Sequence, residues 1–205
     1  MAPKLTKTEK PFWIFSKEAD TDYLLARMIN FLGAAVHSRA GYFAQQACEK
    51  YMKALTVERE GGYLDRCHKL KELAALCEPY DTYFAEARTT AILERFDMFD
   101  QVGRYGAAAN YDPLSQGKTA GGIALTIGPE VDLAGTSIWV PAWIDDLDGF
   151  VSKTRSLLDF SKASYDDCLK SILENNSRSA LVALWSGAVP LREILTKGNR
   201  YFMAT

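Results

Sequence analysis

Apolar residues recur along the chain at helical rather than strand spacing, and their breaks divide it into segments. Tyr23, Leu24, Met28, Phe31 and Leu32 share one helix face that ends at Gly33, and Ser16 is placed to cap its start. A second helix is expected from Ser38 or Arg39 to about Glu58, before the Gly61-Gly62 break. Within it Phe43, Ala47, Tyr51 and Leu55 form one strip, while Gln46, Glu49, Lys50 and Lys53 form another. Glu49 precedes Lys53 by four residues, the favourable order for an acid–base pair on a helix. A third helix covers about 69–76 with Leu70, Leu73 and Ala74 inward and Pro79 as its stop, and a fourth runs from Asp81 to Val102 with one bend. Short connections favour an antiparallel bundle.

The pattern changes after Tyr111. Glycine and β-branched residues dominate to Pro141, and Ile123–Ile127 and Ser137–Val140 flank a Gly128-Pro129 turn, which predicts a β-hairpin inserted around residues 122–140. Trp139 and Trp143 either cover the bundle core or border an edge that pairs with a partner. Helical spacing resumes over 147–160. It returns at Tyr165 to Leu173, where Ser164 and Asp167 suggest capping, and again from Ala180 to Lys197 with a restart at Pro190. The expected organisation is one domain over 1–205: a helical part over 16–111, the inserted loop and hairpin over 112–143, and C-terminal helices over 144–205.

Composition narrows the function classes. The chain has 205 residues, 48% of them hydrophobic, and a net charge of −2, which argues against a strong nonspecific field for nucleic acid. Residues 1–111 are balanced with 15 basic and 15 acidic side chains, 112–150 carry one basic and six acidic, and 151–205 carry eight basic and five acidic. An anion site should therefore avoid the middle segment. No apolar run reaches the length of a membrane span and the N-terminus is charged, so a cytoplasmic protein with no membrane association is expected. The four cysteines form no C-x-x-C pair and are expected to be small buried side chains, with no metal site and no cofactor. Ser115-Gln116-Gly117-Lys118-Thr119 ends like a phosphate loop, but Asp112 stands where its first glycine should be. Asp145, Asp146 and Asp148 lack the alternation of a calcium loop and suit a helix start.

Gln46-Ala47, Glu49-Lys50, Lys53-Ala54, His68-x-Leu70 and Arg104-Tyr105, taken in this order, resemble the HEPN domain superfamily over about residues 20–111. Gly106 stands where the family has proline after Arg-Tyr. The resemblance implies a mainly α, up-and-down bundle that commonly dimerises and acts around nucleotides or RNA. It also implies a setting beside a nucleotidyltransferase in a bacterial toxin-antitoxin or defence system. Candidate nucleotide- or RNA-binding residues are Gln46, Lys50, Lys53, His68, Arg104 and Tyr105: cations can hold phosphate, and a tyrosine can stack on a base. Each has a structural alternative: a lysine paired with Glu49, a histidine capping the third helix, Arg104 bridged to Asp100.

The catalytic branch of the family carries arginine, four to six residues, then histidine. Here the histidines are His37 and His68, and neither follows an arginine at that spacing. The expectation is a noncatalytic binding module working as a homodimer, with no catalytic residue assigned. One alternative is a divergent metal-independent endoribonuclease using His68 with Arg66, Arg95 or Arg104; another is an interaction protein that docks a partner through the hairpin.

Overall fold

The computed structural model describes residues 5–32, 37–100, 139–162, 167–174 and 191–203. Within them lie helices α1 (Phe12–Leu32), α2 (His37–Glu60), α3 (Leu70–Cys77), α4 (Ala87–Asp97), α5 (Trp143–Ser156), α6 (Cys168–Leu173) and α7 (Leu191–Thr196). Strands β1 (Thr6–Lys7) and β2 (Gly62–Tyr63) pair antiparallel, with Thr6 opposite Tyr63 and Lys7 opposite Gly62. The protein is mainly α, an up-and-down helical bundle. The inserted hairpin falls almost wholly outside the described residues, as do Arg104 and Tyr105.

Helix α2 is the spine. It packs against α1, α3, α4, α5 and β2, so it keeps almost no solvent face. Ala47, Tyr51 and Leu55 are fully buried as the apolar strip predicts, but Glu49 and Lys53 are only 4% and 6% exposed. The polar strip is thus enclosed rather than solvated, because a helix wrapped on all sides has to pair its polar groups internally. Its end is made by Gly61 at φ +64°, whose N–H reaches Val57 O at 2.9 Å in a left-handed cap.

Two helix starts differ from expectation. Helix α1 begins one turn earlier, directly after Pro11, and Ser16 is a buried interior residue donating to Phe12 O at 3.4 Å instead of capping. Near Asp81 the chain forms a short 3-10 turn, Thr82–Ala85, before α4, with Asp81 accepting from Tyr83 N at 2.9 Å. Asp167 does cap α6, accepting from Lys170 N at 3.1 Å.

The C-terminal residues join the same core. Arg27 on α1 ion-pairs with buried Asp148 on α5, while its Nε and Nη2 donate to Ile194 O and Lys197 O at the end of α7, both at 2.7 Å. Tyr23 donates to Asp148 at 2.7 Å and accepts from Asn199 at 2.8 Å. Asp148 therefore anchors the core, whereas Asp145 and Asp146 occupy the first turn of α5, where negative charge suits the helix dipole. Trp139 is buried against Phe96, Phe99 and Trp143, with ring centroids 5.8–5.9 Å apart, and donates to Asn30 Oδ1 at 2.8 Å.

Candidate functional site at the α2–α3 junction

Three donors converge on the Glu49 carboxylate. Lys53 Nζ lies 2.8 Å from Oε1, Gln45 Nε2 lies 3.3 Å from Oε2, and His68 Nδ1 lies 3.1 Å from both oxygens. Gln45 Nε2 also donates to the backbone oxygen of His68 at 3.0 Å, so one amide holds both the acid and the residue beneath the ring. Lys53 stands 5.8 Å over the Tyr63 ring, a cation–π contact that shields its buried charge. Positions 45, 49 and 53 recur every four residues, which puts them on one line along α2 facing the loop that carries His68.

The loop is held from the other side. Asp97, the last residue of α4, accepts the N–H of Leu70, the first residue of α3, and Lys69 makes no side-chain cap of its own. Burial raises the Asp97 carboxyl above its usual range, while that hydrogen bond and the nearby Lys69 charge pull it down. Asp65, Arg66 and Lys69 are exposed on the same loop, and Arg66 sits at φ +59°, a left-handed conformation rare for residues other than glycine. His68 is 37% exposed, so its ring spans the boundary between the buried acid and solvent. Cys67 donates its thiol to Glu72 at 3.4 Å, and burial pushes that thiol up, away from nucleophilic character.

The predicted residues separate into groups. Lys53 and His68 meet at Glu49. Gln46 reaches this centre only through Gln45, donating to its Oε1 at 2.6 Å. Lys50 faces α1 instead, 2.6 Å from Asp22 and 3.7 Å from Glu18, and so does not join His68 or pair with Glu49. Arg95 lies 2.7 Å from Asp146 and 4.9 Å over the Trp143 ring. Gln45 escaped the sequence reading although it stands four residues before Glu49; its neighbour Gln46 drew attention through the family pattern. Among the described residues no group of three His, Cys, Asp or Glu side chains is placed to hold a metal ion.

A groove of about 240 Å³ lies elsewhere, between α4 and α5, with Tyr83, Arg88, Asp146, Lys153 and Tyr201 among its walls. Its two cations are matched, Arg88 with Asp146 at 3.5 Å and Lys153 with Asp81 at 2.6 Å. No described helix is long and apolar enough to cross a membrane.

The fold and this centre define a helical-bundle module with an acid–histidine–lysine cluster where its second and third helices meet. The model of the HEPN domain matches residues 19–122, half of the chain, and the protein belongs to that family. HEPN domains are modules generally associated with RNA binding or with nucleases. No curated protein and no solved structure matches the chain.

Proposed function

We propose that this HEPN-family protein is a nucleotide- or RNA-associated binding module that meets its ligand at the solvent edge of His68, without ribonuclease chemistry of its own. The observation that carries the reading is His68 held by a buried carboxylate, on a loop that also exposes Arg66 and Lys69. Exposed cations beside an oriented ring suit phosphate and ribose recognition. Gln46, Lys50, Arg104 and Tyr105 remain candidates on the family pattern. The finer reading, a homodimer beside a nucleotidyltransferase in a toxin-antitoxin or defence system, goes beyond the family assignment and is proposed on the family pattern alone. Titration of ATP and short RNAs by calorimetry, beside His68→Ala, tests the module: binding weakened by the substitution is expected, and silence from a folded protein overturns it.

A second reading is a divergent metal-independent endoribonuclease. The contact of Glu49 with His68 Nδ1 favours it, because an acid on one ring nitrogen orients the other for proton transfer. RNA cleavage in chelator that disappears in His68→Ala supports this reading; no cleavage removes it.

A further inference from the structure

Both described hydrogen bonds of the His68 ring are made by Nδ1, and both go to Glu49. Lys53 and Gln45 also donate to that carboxylate, so it acts as an acceptor and the ring nitrogen facing it carries the proton. In the neutral ring the lone pair then sits on Nε2. Gln45 fixes the backbone of the same residue, so side chain and main chain are set by one buried assembly: Gln45 is fully buried, Glu49 is 4% exposed and Lys53 6% exposed.

We propose that Glu49, supported by Gln45 and Lys53, is a positioning residue that holds His68 as the Nδ1–H tautomer, so that Nε2 accepts a hydrogen bond from a ribose 2′-hydroxyl. The tautomer requires a donor on the ligand, which a phosphodiester lacks. Base N–H groups can donate but occur in DNA as well, whereas the 2′-hydroxyl is the donor that separates RNA from DNA. His68 is thereby a specificity residue, and phosphate attraction falls to the exposed Arg66 and Lys69. This rests on the reading of His68 as facing the ligand.

The test has two arms, both on the full chain. The first is a long-range proton–nitrogen spectrum of the ¹⁵N-labelled imidazoles at neutral pH, made simple by the presence of two histidines and assigned with His37→Asn. The expected pattern for His68 is Nδ1–H. In Glu49→Gln, Lys53 takes the amide oxygen and the NH2 faces Nδ1, so the pattern inverts to Nε2–H. An Nε2–H ring in the wild-type protein overturns the positioning role whatever the chain binds, and this spectrum decides the matter even if the variant fails to fold. The second arm compares affinities for a short single-stranded RNA and the DNA of the same sequence. A preference for RNA of about five- to tenfold, the worth of one hydrogen bond, is expected, falling to parity in His68→Ala. Equal affinities overturn the ribose contact. If neither nucleic acid binds while the tautomer is as expected, the ligand-facing reading fails and takes the ribose contact with it, and the tautomer result stands separately.

Discussion

Asp97 caps a helix to which it does not belong: its two carboxylate oxygens accept the N–H of Leu70 at 2.9 and 3.1 Å. The first turn of a helix leaves N–H groups without intrahelical partners, and a short helix such as α3 depends on satisfying them. Because the cap comes from α4, it also ties the His68 loop to the bundle. Asp97→Ala is expected to cost about 1–2 kcal/mol, as other cap removals do. Urea unfolding of the variant measures this, and amide exchange should quicken first at residues 68–72. An unchanged midpoint would show that the cap is dispensable.

Lys53 and Glu49 form a buried pair, and removing one partner of such a pair leaves the other charge uncompensated. Lys53→Met keeps the apolar stem and deletes the charge, so destabilisation by about 3 kcal/mol is expected. Glu49→Gln in the same background should then cost less than it does alone. A double-mutant cycle in chemical denaturation should give a coupling above about 1 kcal/mol, and additive effects would mean that the two side chains do not depend on each other.

Acid should not weaken this protein at first. Burial pushes the Asp20 carboxyl up to about 6 against the pull of the Arg155 guanidinium, and burial also raises Asp22, Asp97 and Asp148. The folded chain therefore holds more protons than the unfolded chain between the usual aspartate value of 3.8 and about 6, so stability rises as pH falls through that window. Asp81, lowered by Lys153 and the Tyr83 N–H, acts in the opposite sense but is only half-buried. The urea midpoint is expected to climb from pH 7 to pH 5, and Asp20→Asn should flatten the climb. A midpoint that falls steadily over that range would sink the account.

Gly41 lies inside α2, where glycine ordinarily weakens a helix by about 1 kcal/mol relative to alanine. The reason for it is Phe99: a Cβ on Gly41 would overlap the ring of that side chain. Phe99 in turn packs on Trp139 and Trp143, so it has little room to yield. Gly41→Ala is expected to destabilise by about 1–3 kcal/mol despite its better helix propensity. A thermal melt followed by near-ultraviolet dichroism of the tryptophans reads both the loss and its place. A more stable variant would mean that the ring moves aside.

Helix existence and type were legible because they are written in spacing: the strip of Ala47, Tyr51 and Leu55 predicted α2, and the stops at Gly61 and Pro79 set where α2 and α3 end. The starts were less legible. Ser16 has the chemistry of a cap, yet Pro11 opens the helix earlier, and local residue type alone does not rank two compatible starts. Part of the candidate centre was also readable, since the Glu49–Lys53 pair and the histidine before α3 stand in the family pattern. What the sequence determined by itself was periodicity, and with it the faces of each helix, because those depend on neighbours along the chain. Burial, pairing and proton positions were decided only by the tertiary structure. Enclosure of α2 by four helices turned a polar strip into a buried network, sent Lys50 to Asp22, brought Gln45 to His68 and left the Nδ1 of that ring on Glu49. Such choices depend on which groups from distant parts of the chain arrive together once water has been excluded, and spacing along one helix carries no record of them.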